Sequence, residues 1–161
     1  MGIIIKCETG DDVWVEENSL EGARLQGLNL HRALLDRLSL RGADLSHSEL
    51  RSAWLEQADL SNANLRSANL AACNASKARF CFAILDQAML RSAVFHDADF
   101  QSASFVGANI GRASFVGANL RGADLRCEEL ESAELAGAVY DRATIWPIGV
   151  DPENIAGLVR V

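Results

Sequence analysis

The chain has 161 residues, of which 49% are hydrophobic and 23% charged, a composition typical of one folded domain and unlike that of a disordered chain. Its net charge of −7 disfavours general attraction to nucleic acid or to an anionic membrane. No run of about 18 apolar residues is present to span a bilayer, and the first residues lack the pattern of a signal peptide. We therefore predict a cytoplasmic protein without a membrane partner.

The first fifteen residues contain two short segments typical of β-strands. Residues 3–5 (I-I-I) and 13–15 (V-W-V) are separated by a polar stretch that contains Gly10 and two aspartates, as in a turn between strands. We therefore predict an N-terminal β cap over residues 1–15.

From residue 16 onward the sequence has a period of five. Of the 26 multiples of five from Leu20 to Ile145, 25 carry a bulky apolar or aromatic residue, and Ala75 is the exception. A second series runs two residues earlier and carries Ala at 20 positions. The period therefore governs the fold of residues 16–145.

A period of five fits neither regular secondary structure as a continuous element. In an α-helix, successive multiples of five are rotated by about 140° and scatter around the axis. In a straight strand, an odd period sends alternate residues to opposite faces. A short extended segment followed by a corner does fit, because residues two apart then point inward together. Repeats of fixed period stack into solenoids, so each unit is predicted to form one side of a coil.

Individual units also resemble those of a known family. Residues 43–47 (A-D-L-S-H), 58–62 (A-D-L-S-N) and 123–127 (A-D-L-R-C) are similar to the A-(D/N)-L-x-x signature of pentapeptide-repeat proteins. The resemblance covers residues 16–145. It implies an all-β fold, a right-handed quadrilateral parallel β-helix with four repeats per coil. The solenoid would then have about 6.5 coils and, at a rung spacing of roughly 4.8 Å, would be about 31 Å tall.

The inward series predicts the core of this solenoid. The predicted structural core contains leucines of well-formed units and a group of phenylalanines: Leu45, Leu65, Phe80, Phe95, Phe100, Phe105, Phe115 and Leu125. Ala75 leaves a deficit in the series, which Phe95 and Cys73 fill in one interpretation and which forms a small ligand cavity in the other. Glu128 stands at an inward Ala position, where an unpaired carboxylate is costly, so we expect a bulge or an outward turn there.

Residues 146–161 leave the repeat. Residues 146–152 read W-P-I-G-V-D-P and are similar to the W-P-x-G-F-D-P tail that follows many bacterial pentapeptide repeats. Asp151 as N-cap and Pro152 at the first helical position predict a short helix over residues 153–158. We expect a C-terminal cap over residues 146–161, because solenoids otherwise expose their core and unpaired strand edges. The two caps and the repeats form one structural domain in this interpretation.

The sequence offers no recognisable catalytic or metal-binding motif. His31, His47 and His96 are predicted to lie on different sides of the coils, and the four cysteines have neither C-x-x-C spacing nor a disulfide pattern. A nucleophile elbow, H-E-x-x-H and a glycine-rich phosphate loop are missing. We therefore predict a protein that is not an enzyme and that has no catalytic residues, no cofactor and no metal.

Most units place a polar residue at the outward position before the central apolar residue. Trp54, Ile84, Met89 and Val94 put large apolar side chains there instead, and Phe82 lies at a nearby corner. These are either isolated exposed apolar residues, which are common, or a protein-contact patch centred on Trp54 and Val94. The patch is the candidate site that the sequence provides.

Three functions are open at this point. We favour a noncatalytic protein-binding or regulatory module that presents flat walls to an unidentified protein partner, as a monomer or weak dimer. The resemblance implies a bacterial type, with cyanobacteria as a candidate source. The alternative that the family suggests is a DNA mimic that binds a type II topoisomerase (gyrase) and protects or inhibits it. An enzyme or small-ligand receptor would depend on the Ala75 cavity alone.

Charge distribution separates the first two functions. Residues 18–127 hold 12 basic and 10 acidic side chains, whereas residues 128–161 hold two basic and seven acidic ones. A mimic of duplex DNA needs acidic walls, and here the acidity is concentrated at the ends. This distribution favours protein binding, and we expect no direct nucleic-acid binding.

Overall fold

A computed structural model describes residues 2–161. Four short strands form two pairs, antiparallel between the first two and parallel between the last two: β1 (Ile3–Ile5), β2 (Val13–Val15), β3 (Val139–Tyr140) and β4 (Val159–Arg160). Single 3-10 turns lie at Leu130–Ser132 and Pro152–Asn154. No α-helix occurs in the described part of the chain, and neither 3-10 turn is long enough to cross a membrane.

Between the two strand pairs the chain winds through isolated parallel β-bridges that join residues 20 positions apart. Asp44, for example, bridges to Arg24 on one side and to Asn64 on the other. The Asp44 N–H donates to the Ala23 carbonyl at 2.9 Å, and the Leu45 N–H donates to the Asn64 carbonyl at 2.8 Å. Because 20 residues are four units of five, each coil has four sides, and each side is hydrogen-bonded to the sides above and below it.

The bridged residues form four outward-facing columns, which we name walls A to D. Wall A comprises Arg24, Asp44, Asn64, Ile84, Ser104, Asp124 and Ile145. Wall B comprises Asn29, Glu49, Asn69, Met89, Asn109 and Glu128. Wall C comprises Leu34, Trp54, Asn74, Val94, Ser114 and Glu134. Wall D comprises Ser39, Asp59, Arg79, Asp99, Asn119 and Val139, and β4 adds Val159.

The corners share one backbone conformation. The Ala23 N–H donates to the Leu20 carbonyl at 3.3 Å across a four-residue turn whose third residue, Gly22, has φ 66°. A positive φ at the third residue is the requirement of a type II turn and favours Gly or Asn. Phe82 occupies an equivalent corner with φ 58°, a conformation that bulky side chains rarely adopt. Local conformational preference therefore does not explain a phenylalanine at this corner.

The core fills the space between the four walls. The leucines and phenylalanines predicted as core are at most 2% exposed: Leu45, Leu65, Phe80, Phe95, Phe100, Phe105, Phe115 and Leu125. Phe80 stacks on Phe100 with ring centroids 4.7 Å apart, and Phe95 stacks on Phe115 at 5.0 Å. Ala75 is fully buried. Its N–H donates to the carbonyl of Val94 at 2.8 Å, and Val94 is the residue before Phe95. The aromatic rings therefore begin one coil above Ala75 on the same side of the solenoid.

One coil near the C-terminal end is a residue short. Asn109 bridges to Glu128, a step of 19 residues, so Glu128 lies on wall B with its side chain exposed. Glu129 adopts a left-handed conformation (φ 58°), and Leu130 is the buried residue of this side. The structure therefore confirms the outward turn that we expected at Glu128.

The next coil has one residue more. Asp124 bridges to Ile145, a step of 21 residues. The period of five predicts an inward Ile145, but its side chain is 48% exposed on wall A and Thr144 is buried instead. The predicted position of Ile145 is wrong because the turn that begins at Asp141 takes up an extra residue, with the Asp141 carboxylate accepting the Thr144 N–H at 3.1 Å.

The N-terminal hairpin of β1 and β2 lies against the first coil. The Leu34 N–H donates to the Lys6 carbonyl at 2.7 Å, and Cys7 forms an antiparallel bridge to Ala33. Ile5 and Val15 are buried in the hydrophobic core. The hairpin thereby covers apolar residues of the first coil.

The C-terminal tail packs against the last coil through Trp146, Val150, Ile155 and Leu158 and pairs with it through β4. β4 pairs with β3 and extends wall D by one rung. The Asp151 carboxylate accepts the Glu153 N–H at 3.1 Å, as expected of an N-cap. The predicted helix over residues 153–158 is wrong, however, because a single 3-10 turn ends at Asn154 and Ile155 is already extended (φ −88°, ψ 117°).

Candidate protein-contact surface

Polar wall residues have a local structural role. At ten wall positions an Asp or Asn Oδ1 accepts a hydrogen bond from the N–H two residues later, as Asp44 does from Ser46 at 3.1 Å. This Asx turn fixes the chain as it enters the corner. It explains why the repeat favours Asp or Asn before its central leucine.

The apolar wall residues give up this hydrogen bond. Two residues after Ile84, Met89 and Val94, the backbone N–H has no partner within residues 2–161. Their side chains are also at least partly exposed, so they contribute less to the core than the inward series does. Neither corner formation nor core packing therefore accounts for these residues, which is the physical reason to consider them for binding.

The structure separates the five residues of the predicted patch. Trp54 and Val94 lie on wall C, Ile84 lies on wall A beside Phe82 at its corner, and Met89 lies on wall B. Successive walls of a four-sided coil face in different directions. One flat partner can therefore contact only part of the predicted set.

Wall C carries a third exposed apolar residue, which the predicted patch does not include. Leu34 is 42% exposed and bridges directly to Trp54, which is 39% exposed. Val94 is half-buried and lies two rungs beyond Trp54. Leu34 directly precedes the inward Leu35, so the same sequence criterion, a large apolar residue at the outward position of a unit, also identifies it. We name these three residues the apolar ladder; it spans three rung intervals, roughly 14 Å.

An ion pair borders the apolar ladder. A shallow depression of about 270 Å³ lies beside Trp54 and is also lined by Glu8, Arg32 and Asn74. Arg32 donates from Nε at 2.9 Å and from Nη2 at 2.6 Å to one Glu8 oxygen, and this hydrogen bonding lowers the pKa of Glu8. An apolar centre beside fixed polar groups is the usual anatomy of a protein-contact surface.

The remaining predicted residues form smaller apolar spots. Phe82 is 59% exposed and lies two residues before Ile84, at the edge of wall A. Met89 stands between Asn69 and Asn109 on wall B. These spots have fewer apolar neighbours on their walls than Trp54 has on wall C.

Reactive side chains do not gather on any wall. Within residues 2–161, no three His, Cys, Asp or Glu side chains are placed to share a metal ion. The four thiols are free, and burial raises the pKa of Cys73 and of Cys127 to about 12 and that of Cys81 to about 11. Such thiols form little thiolate at neutral pH, so they are poor nucleophiles.

Comparison with known families agrees with the four-walled register. A family model of pentapeptide repeats matches the chain in eight copies, over residues 19–51, 43–80, 73–112 and 113–139. The chain belongs to the pentapeptide-repeat family. This confirms the assignment made from the A-(D/N)-L-x-x units, and with it the all-β solenoid. Membership of this family implies a right-handed quadrilateral β-helix, and the members are typically structural or binding modules.

Two solved cyanobacterial pentapeptide-repeat proteins are similar to this one. Rfr23 from Cyanothece 51142 is 32% identical, with a TM-score of 0.54, and the match covers 66% of this chain and 65% of Rfr23. The protein alr5209 from Nostoc PCC 7120 is 30% identical, with a TM-score of 0.53, and the match covers 64% of this chain and 84% of alr5209. The chain thus spans about two thirds of the length of Rfr23.

A more distant similarity concerns the fold alone. QnrB1, a plasmid-mediated fluoroquinolone resistance protein, is 18% identical, with a TM-score of 0.54, and the match covers 91% of this pentapeptide-repeat protein and 73% of QnrB1. No curated protein sequence matches the chain.

Proposed function

We propose that this protein is a noncatalytic binding module whose wall C is the contact surface for a protein partner. The observation that carries the proposal is the apolar ladder, in which Leu34, Trp54 and Val94 occupy positions where the repeat favours Asp or Asn. Exposed aromatic and aliphatic side chains that do not serve the fold are the anchors that protein interfaces use.

The charge of the walls supports protein binding over DNA mimicry. Residues 18–127 carry a small excess of basic over acidic side chains, 12 against 10. Wall C itself has no charged residue between Leu34 and Ser114. A surface that imitates duplex DNA requires closely spaced negative charges, so an apolar protein contact fits this wall better.

The experiment compares matched variants in affinity capture from cells of the source organism. Trp54→Ser/Val94→Ser removes two rungs of the apolar ladder, and Ile84→Ser/Met89→Ser removes the same kind of side chain from walls A and B. We expect the first variant to lose its partner while the second keeps it, with thermal melting of both close to that of the parent.

Two outcomes would contradict this proposal. Equal capture by both variants would exclude wall C as the contact surface. Inhibition of DNA supercoiling by gyrase at stoichiometric amounts of the parent protein, unchanged in Trp54→Ser/Val94→Ser, would support the topoisomerase-directed alternative instead.

A further inference from the structure

The C-terminal end of the solenoid contains a groove with an apolar lining. Its volume is about 500 Å³, within the range of roughly 300–1,000 Å³ that is usual for ligand sites. The last coil forms one side through Leu130, Ala133 and Leu135, and the tail forms the other through Pro147, Ile148, Val150 and Ile155. The Ile148 side chain is fully exposed. Leu130 and Leu135 are already buried at the base of the groove, so its exposed apolar surface belongs to Ile148 and, in part, to Ala133, Val150 and Ile155.

The groove also contains an open strand edge. One rung lower on wall C, the Phe115 N–H donates to the Glu134 carbonyl at 2.7 Å, and the Glu134 N–H donates to the Ala113 carbonyl at 2.9 Å. The equivalent groups one rung higher are the Leu135 N–H and the Ala133 carbonyl, and neither has a hydrogen-bond partner within residues 2–161. Both residues line the groove.

The four walls end at different heights, which explains the open edge. Walls A and D continue to Ile145 and Val159, because the turn after Tyr140 and strand β4 each supply one more rung. Walls B and C stop at Glu128 and Glu134. The tail passes over this side without pairing with it, so no strand of residues 2–161 pairs with the last rung of wall C.

The acidic side chains around the groove favour a partner segment with basic residues. Residues 128–161 contain seven acidic and two basic side chains. Glu129, which lines the groove, is paired with Arg91, but Glu131, which also lines it, has no ion-pair partner in the described part of the chain. A second copy of this protein would bring its own acidic end, so like charges oppose self-association through this end.

We propose that the groove binds an extended segment of a partner protein in which apolar residues alternate with Lys or Arg, by addition of a strand to wall C. The Leu135 N–H and the Ala133 carbonyl pair with the added backbone. Alternate apolar side chains enter the groove, because successive side chains of a strand point to opposite sides. The long basic side chains between them stay at the exposed rim of the groove, where Glu131 lies. This site is separate from the apolar ladder and does not depend on it.

The test uses two capped octapeptides, one of alternating Val and Lys and one of alternating Val and Glu. We expect the Val/Lys peptide to bind the full chain at least about tenfold more tightly than the Val/Glu peptide in calorimetry. We also expect the amide proton of Leu135 to exchange more slowly with solvent in the complex, measured by NMR, because strand addition gives it an acceptor.

Two charge-reversal variants complete the test. Glu131→Lys should weaken binding of the Val/Lys peptide about fivefold. Glu16→Lys changes the net charge equally at the other end, where Glu16 is exposed and forms no hydrogen bond or ion pair with residues 2–161, and should leave binding unchanged.

Several results would overturn the proposal: equal affinity for both peptides, equal effects of the two variants, or binding without slower exchange at Leu135. A dimer in light scattering that Glu131→Lys strengthens would identify a second copy as the occupant instead. Because wall C variants such as Trp54→Ser are not used, failure here leaves the function proposed for the apolar ladder untouched.

Discussion

Substitution of Ala75 by leucine tests how the core accommodates the one small residue of its inward series. Ala75 is fully buried, and Phe95 lies one coil above it on the same side. The Phe95 ring is 5.8 Å from Phe80 and 5.0 Å from Phe115, measured between centroids. If these rings fill the space beside Ala75, a leucine there must displace them.

The two interpretations of Ala75 predict opposite signs. In a filled core, Ala75→Leu overpacks the site and lowers the free energy of unfolding by about 1–3 kcal/mol. For a domain of this size, that lowers Tm by about 2–12 °C. If Ala75 instead borders a leucine-sized void, burying the new side chain raises stability by about 1.5–3 kcal/mol. We expect destabilisation.

A double substitution identifies the residue that compensates for Ala75. Phe95→Leu alone loses ring contacts with Phe80, Phe100 and Phe115, at roughly 0.5–1.5 kcal/mol each. In Ala75→Leu/Phe95→Leu, the new leucine occupies space that the ring leaves. We expect the double variant to be about 1–3 kcal/mol more stable than the sum of the single effects predicts.

The assay is equilibrium unfolding in guanidinium chloride, followed by far-UV circular dichroism. Ala71→Leu, on the outside of the same coil, serves as control and should change stability by less than about 0.5 kcal/mol. A rise in stability with Ala75→Leu, or strict additivity of the two substitutions, would refute the interpretation that Phe95 fills the deficit.

Three further predictions concern the corners, the carboxylates and the thiols. Phe82→Asn relieves a left-handed corner that Asn tolerates, and should raise stability by about 0.5–1 kcal/mol in the same unfolding assay. Burial opposes ionisation of Asp141, but hydrogen bonds to backbone N–H groups outweigh it and lower its pKa below the ordinary 3.8. Because its folded pKa is the lower one, it stabilises the fold above the ordinary value and loses this effect as pH falls through the folded pKa. Asp141→Asn should therefore lower Tm at pH 7 and flatten its decline below pH 4; an unchanged decline would contradict this. At pH 7.5, Cys73 and Cys127 should react with iodoacetamide far more slowly in native than in unfolded protein, as mass spectrometry can show, and equal rates would show that these thiols are not protected.

The period of five was sufficient to predict a solenoid and its core, whereas the four sides of each coil followed from the resemblance to pentapeptide-repeat proteins. A fixed period keeps every unit in register, so position in the sequence determines the wall on which a residue lies. The separate one-residue shifts at Glu128 and Ile145 could not be predicted in the same way. The apolar residues keep their five-residue spacing at Leu130 and Leu135. The backbone turns that take up the missing and extra residues therefore do not change the apolar pattern from which the fold was predicted.

The groove at the C-terminal end could not be predicted from the sequence either. Its open edge depends on which walls the tail extends, and the tail lies outside the repeat. The predicted helix over residues 153–158 rested on Asp151 and Pro152 alone, whereas residues 155–158 form a turn with Gly157 at φ 77° that leads directly into the pairing of β4 with β3. Tertiary pairing thus overrides the local helix signal.

The 20-residue step also determines the angle between the apolar ladder and the C-terminal groove. Deleting one five-residue unit between Val94 and Glu128 would turn everything beyond it by a quarter turn, so the two surfaces would face different directions. Deleting a whole coil would only bring them closer by roughly 4.8 Å. A partner that spans both surfaces would therefore accept relatives that differ by whole coils and reject those that differ by single units, whatever their sequence identity.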